Sequence, residues 1–285
     1  MNFFSNPSWL KQYKYPYNSF EEIPKEIFTS INANLDRVQS KPPVVSIVIA
    51  AWNEEVNILR CISTLSASKT DIPFEIIVVN NNSKDKTQST IDQLHVRSYF
   101  QEIQGPGPAR QVGQEQAQGK YILLADADCL YPAYWMEEMI KKLSVPGTVC
   151  VYGRYSFISE KGYPRWMLAI LEKMKDIVAA YRQINRPYFN TYGISMGYIA
   201  ELGLKVGFVM KNVRGEDGRL ALGLMQYGKI KQVKASRARV WTAPRTLQKD
   251  GTLLQAFWNR ITREIRNFRF NLHSTPPEET NNINY

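Results

Sequence analysis

The chain has 285 residues, 44% of them apolar and 22% charged, enough for one sizeable core and too apolar for a disordered chain. Its three cysteines (Cys61, Cys129, Cys150) have neither zinc-ligand spacing nor the density of a disulfide framework, and no run of about 18 apolar residues is present to span a membrane. The net charge of +10 is uneven: residues 1–150 carry 14 basic and 16 acidic side chains, residues 151–285 carry 22 and 10. A phosphorylated ligand, a nucleic acid or an anionic membrane surface each answers the basic half, but no helix-turn-helix signature or zinc-finger spacing supports nucleic acid. The opening stretch lacks a basic-then-apolar secretory pattern, so a cytoplasmic location is expected.

In chain order, residues 1–43 read as an aromatic, weakly periodic arm with room for a short helix, ended by Pro42 and Pro43. "VVSIVIAA" (44–51) is a branched apolar run, as expected of a strand covered on both faces. Val56, Leu59, Ile62 and Leu65 then recur at helical spacing, with Asn53 as N-cap and Glu54 and Glu55 in the first turn. "FEIIVVNN" (74–81) is a second buried strand, and 83–94 a helix capped by Ser83. A short strand near 99–103, a Gly/Pro turn leading into a polar helix (105–119) and the strand "KYILLADADC" (120–129) follow. This alternation predicts a doubly wound α/β fold with a mostly parallel central sheet flanked by helices, its ligands gathered at the C-terminal ends of the strands. Beyond it, 148–158 reads as one or two strand segments, 165–183 as an amphipathic helix, 216–227 as a helix and 230–233 as a basic strand.

Asp126 and Asp128 stand at the end of the "YILLA" strand. If the strand continues, side chains at i and i+2 point the same way, and two such carboxylates repel unless a cation sits between them. Mg²⁺ or Mn²⁺ suits that oxygen donor set, with diphosphate and water completing it. An exposed turn accounts equally well for two aspartates in isolation. "RGEDGRL" places Glu216 and Asp217 just before the apolar helical positions Leu220, Leu222 and Leu224. A helix N-terminus favours ionised carboxylates there, which either suits a general base or makes an acidic cap without chemistry.

Five strings in order resemble the family 2 inverting glycosyltransferases of the GT-A fold. "VSIVIAAWNEEVNILRCISTL" is similar to the family's first strand and helix, and "EIIVVNNNSKDKT" stands where "IVVDDGSTDGT" is usual. "GPGPARQVGQEQAQGKYILLADADCLYP" resembles the "G…AR…G…A.G.YI.FLDADD…P" stretch. "YGISMGYIAELGLKVGF" and "RGEDGRLALGLMQYGKI" resemble the acceptor-side loop and the catalytic "ED" helix. The resemblance implies a metal-dependent enzyme that moves a sugar from a nucleoside-diphosphate sugar to a carbohydrate or lipid-linked acceptor, with Mn²⁺ or Mg²⁺ as cofactor and no nucleic-acid partner. It implies Asp128 as principal metal ligand, Asp126 as a metal or ribose contact, Asp217 as base and Glu216 as a sugar contact. Ala51, Asn53 and Glu54 fall at the base and ribose positions, and Arg110 at a donor-phosphate or pocket-closing position. Asn81 replaces a carboxylate beside the base; an amide donates as well as accepts, which unsettles a uridine preference.

On these readings the chain divides into an arm (1–43), a catalytic domain (44–245) with a nucleotide half (44–130) and an acceptor half (131–245), and a basic amphipathic helix with a polar tail (246–285). Processive synthesis is not expected, because "ARVWTAPR" (238–245) does not match the "Q..RW" element. Arg237, Arg239, Arg245 and Lys249 are candidates for a lid over the donor phosphates. The 253–270 stretch interleaves aromatic and aliphatic residues with arginines, a pattern for packing on the core or lying on the inner face of an anionic membrane. The sequence leaves oligomeric state open.

Overall fold

The apolar runs become the centre of a seven-stranded sheet. A computed structural model describes residues 4–39, 42–213 and 215–245; the 253–270 stretch and Lys249 lie outside the described residues. Elements follow in chain order: α1 (Lys25–Val38), β1 (Val45–Ala51), α2 (Asn57–Ser66), β2 (Phe74–Asn80), α3 (Thr87–Asp92), β3 (Arg97–Phe100), α4 (Pro106–Gln116), β4 (Tyr121–Asp126), β5 (Cys129–Leu130) and α5 (Trp135–Leu143). Next come β6 (Thr148–Tyr152), β7 (Tyr155–Phe157), α6 (Arg165–Asn185), β8 (Met196–Ile199), α7 (Ala200–Val206), α8 (Glu216–Leu224), β9 (Lys229–Gln232) and β10 (Val240–Thr242).

The main sheet runs β3-β2-β1-β4-β8-β6-β9, and a small second sheet runs β5-β10-β7. Strands β3, β2, β1 and β4 are mutually parallel, while β8 lies antiparallel between β4 and β6. Such a mostly parallel sheet needs apolar cover on both faces. Along β1, Val45, Ile47, Ile49 and Ala51 enter one buried cluster with residues of α1, α2 and α5. Val48 points into another, shared with Ile122, Leu124 and α8's Leu220, Ala221 and Leu224. Each fully buried aliphatic of this kind contributes roughly 1.5–3 kcal/mol of gross burial energy. The arm is more regular than its composition suggests: Phe28, Ile31 and Leu35 of α1 join the main core, because their spacing gives that helix one apolar face.

Two expected caps are displaced. Helix α2 begins at Asn57, behind Val56 rather than Asn53. Asn53 takes a left-handed conformation (φ 54°), accessible to Asn at low cost, and its Oδ1 accepts from the Lys84 backbone N–H. Ser83 caps no helix; its Oγ accepts from the Asn53 N–H, while Asp85 Oδ1 accepts from the N–H of Thr87, the first residue of α3. These polar residues tie the loops after β1 and β2 together. Among the described residues no helix is long and apolar enough to cross a membrane.

Candidate active site

The parallel half of the sheet ends beside the one antiparallel neighbour of β4, and that reversal gathers the site. Asp126 is the last residue of β4, paired with Ala50 of β1. Its backbone N–H donates to the Tyr131 hydroxyl (2.8 Å), which in turn donates to the Ile194 carbonyl (3.1 Å). Because β8 runs against β4, with Leu124 opposite Met196, the segment just before β8 returns to the carboxylate end of β4. That segment carries Gly193, whose N–H donates to Asp217 Oδ2 at 2.8 Å. Gly215 (φ 85°) opens α8 and places Glu216 and Asp217 in its first turn.

Arg110, from α4, joins these parts. Its Nη1 donates to Glu216 Oε1 (2.5 Å) and Asp217 Oδ1 (2.6 Å), and its Nη2 to Asp126 Oδ1 (2.9 Å). The residue is only 4% exposed, so the guanidinium is committed to three carboxylates rather than lying open to a phosphate. Burial first, then Glu216 and Asp126, push the Asp217 carboxyl up against the pull of Arg110, to about 7 in all. Desolvation thus opposes the ionisation that the helix N-terminus favours. Burial also lifts Asp126 to about 6, against the pull of Arg110, although 35% of its side chain is accessible and open to solvent or a cation.

Gly193 is fixed by the same arginine, since a Cβ there would collide with Nη2 and Cζ of Arg110. Gly193→Ala should expel the guanidinium from its place and cut turnover about 10²-fold, the scale for a displacement of about 1 Å at a reacting centre. Steady-state kinetics with a thermal-melt control checks it; retained turnover would mean that the Arg110 geometry is dispensable.

Asp128 lies not in a continued strand but in the turn between β4 and β5. The turn still brings an Asp126 oxygen, an Asp128 oxygen and the Cys129 sulfur within 4.8 Å of one another. The Cys129 thiol is pushed well up by burial and by both aspartates, and it donates to Asp128 Oδ1 at 3.2 Å. In the metal-free protein it is a thiol, and the two carboxylates beside it form an oxygen donor set that fits a hard cation such as Mg²⁺ or Mn²⁺. Among the described residues, five carboxylates (Glu54, Asp126, Asp128, Glu216, Asp217) share two guanidinium groups, Arg110 and Arg245; a divalent cation would reduce that deficit.

The nucleotide-side candidates meet at the ends of β1 and β2. The Ala51 carbonyl accepts from the Asn81 N–H at 2.8 Å. Glu54 accepts from Asn57 Nδ2 at 2.6 Å. Asn81 is 3% exposed and uses its amide on the loop before α4: Oδ1 accepts from Gly105 N–H (2.6 Å), and Nδ2 donates to the carbonyls of Gln101 (3.2 Å) and Ile103 (2.8 Å). A carboxylate at this position would lose both donor bonds, so the amide matches its surroundings. Of the lid candidates, Arg237 pairs with Glu138 and covers the Tyr134 ring. Arg239 pairs with Asp176 at 2.6 Å. Among the described candidates only Arg245 reaches the site, through Asp128 and Glu54. Tyr131, absent from the sequence-based candidates, is signalled only by an aromatic soon after the aspartates.

A sequence profile described as glycosyl transferase family 2 matches residues 46–201, more than half of the chain. The chain belongs to that family. Similar proteins include the glycosyltransferase AglE of Haloferax volcanii, 31% identical over 127 residues that cover 42% of each chain. Another is the poly(ribitol-phosphate) β-N-acetylglucosaminyltransferase TarS of Staphylococcus aureus, 30% identical over 92 residues, 29% of this chain and 16% of TarS. The aligned part thus spans under half of these relatives. Among solved structures, the Pyrobaculum calidifontis mannosyltransferase PcManGT, in complex with GDP-Man and Mn²⁺, superposes over 90% of this chain and 79% of its own, with TM-score 0.54 and 17% identity. S. aureus TarS 1–349 with UDP-GlcNAc superposes over 70% and 58%, with TM-score 0.53 and 18% identity. These establish a GT-A-like fold for this family 2 chain. The profile match ends at residue 201, so Glu216, Asp217 and Arg245 lie outside it and rest on geometry.

Proposed function

We propose that the protein is a metal-dependent, inverting glycosyltransferase that moves a sugar from a nucleoside-diphosphate donor to an acceptor hydroxyl of a carbohydrate or lipid-linked glycan. One observation carries this reading: a single buried guanidinium holds both a strand-end carboxylate suited to a cation and a helix-start carboxylate suited to a base. Inversion needs the leaving group and the deprotonated acceptor on opposite faces of one anomeric carbon, and Arg110 sets the spacing of the two carboxylates that serve those faces.

In this reading Asp217 accepts the acceptor's proton. Its carboxyl, raised to about 7, is matched to neutral pH, where a base is both available and strong enough. Glu216 orients a sugar hydroxyl beside it. When bound, a divalent cation held by Asp126 and Asp128 supplies charge neutralisation at the departing diphosphate. Support for a nucleotide-sugar donor comes from the family, from the fold, and from polar loops gathered at the ends of β1 and β2.

The test is a thermal-shift screen of uridine, guanosine, cytidine and thymidine diphosphates with and without Mn²⁺. At least one diphosphate should raise Tm only with Mn²⁺ present, by the stabilisation that follows from binding the folded state alone. Asp128→Ala should abolish that increment. No Mn²⁺-dependent shift with any diphosphate would overturn the reading.

A further inference from the structure

Arg245 occupies a position that the proposed reaction does not by itself explain. Strand β10 pairs antiparallel with β5, Thr242 opposite Cys129, so the chain leaving β10 runs directly over the turn that carries Asp128. Three residues on, Arg245 Nη2 donates to Asp128 Oδ2 at 2.6 Å and to Glu54 Oε1 at 3.0 Å. Its Nη1 also donates to Glu54 Oε2 at 3.4 Å. The partners are 117 and 191 residues away in sequence, yet all three side chains meet where the first and fourth strands end. Unlike the buried Arg110, Arg245 keeps 42% of its side chain exposed and has room to move.

We infer that Arg245 is a hand-over residue: the counter-ion of Asp128 and Glu54 while no cation is bound, displaced by the metal and then received by the donor's diphosphate. The inference rests on the proposed metal-dependent transfer. A guanidinium at hydrogen-bond distance from Asp128 and a divalent cation on the same carboxylate are like charges only a few ångströms apart, and their repulsion is strong at a partly dehydrated site. The cation carries twice the charge and gains Asp126 as a further ligand, so it takes the carboxylate. The planar fork of an arginine that spans two carboxylates also matches two phosphate oxygens, so the released group finds an equivalent partner as the donor arrives. The exchange keeps Asp128 and Glu54 from facing each other without a cation before loading, and it makes metal and diphosphate binding mutually reinforcing.

The test titrates Mn²⁺ alone into the full chain, following the free-ion electron paramagnetic resonance signal, for wild type, Arg245→Gln and Arg245→Lys. Arg245→Gln should bind Mn²⁺ roughly threefold or more tightly, because a competing cation has gone, whereas Arg245→Lys should stay near wild type. Uridine and guanosine diphosphates, titrated in saturating Mn²⁺, should bind Arg245→Gln about tenfold more weakly, the loss of a charge-assisted bidentate contact. Wild-type Mn²⁺ binding with unchanged or weaker binding by Arg245→Gln overturns this inference and leaves the proposed function standing. Failure of all three proteins to bind Mn²⁺, with or without the diphosphates, overturns both.

Discussion

Asp217→Asn should retain Mn²⁺-dependent binding of the donor nucleotide and lose turnover by about 10²–10⁴-fold, the range supplied by a positioned general base. An amide keeps the size of the side chain and can still accept from the Gly193 N–H, so the fold should survive; what disappears is a group able to take the acceptor's proton. In the wild type, kcat/KM should fall tenfold per unit below an acid limb whose apparent pKa is no higher than about 7, because a cation bound nearby lowers the value. Stability supplies an independent reading of the same carboxyl. Its folded-state pKa is raised, so its stabilising contribution is complete below the ordinary carboxylate range and is lost as pH climbs through about 7. In the metal-free protein the Tm of Asp217→Asn relative to wild type should therefore increase between pH 5 and pH 8. Turnover unchanged in Asp217→Asn would remove Asp217 as the base, whatever the stability data show.

Arg110→Met should be the most damaging single substitution at the site. It withdraws the cation that, among the described residues, Asp126, Glu216 and Asp217 share and leaves buried carboxylates uncompensated, a change that costs about 3–5 kcal/mol. Urea denaturation at pH 8 is the direct measurement. At pH 5 the penalty should shrink, since carboxyls already raised by burial take up protons. Arg110→Lys should be intermediate, because one ammonium group lacks the planar fork that reaches two sides at once. A loss within about 1 kcal/mol for Arg110→Met, the range of an exposed ion pair, would show that solvent rather than Arg110 satisfies these carboxylates.

The site brings a cost with its chemistry. Three acidic groups converge on one arginine at the junction of β4, the segment before β8 and α8, and burial resists their ionisation. Such crowding is tolerated because the fold over-determines it: Tyr131 pins the backbone of Asp126, Gly193 makes room for the guanidinium, and Asn81 ties down the loop that leads into α4. Each is a fixed donor or an absent side chain, and none requires the ligand to be present.

The sequence by itself determined the βα alternation, the mostly parallel sheet, an apolar strand leading into the Asp126–Asp128 pair and the helix that opens on Glu216 and Asp217. Those features are local: apolar residues at period two or 3.6 report which face is buried, and a polar residue closing an apolar run marks where a strand meets ligand or solvent. Only the tertiary structure decided which charges meet. Arg110 finds Glu216 and Asp217 across 106 and 107 residues, and Arg245 finds Glu54 across 191, separations at which no periodic pattern carries information. The same limit explains why Arg110 read as a donor-phosphate or pocket-closing residue, Asn53 as a helix cap and Asp217 as an ordinary ionised carboxylate. Desolvation and hydrogen-bond partners are properties of the assembled neighbourhood, so the residue types announced a chemistry whose wiring had to wait for the fold.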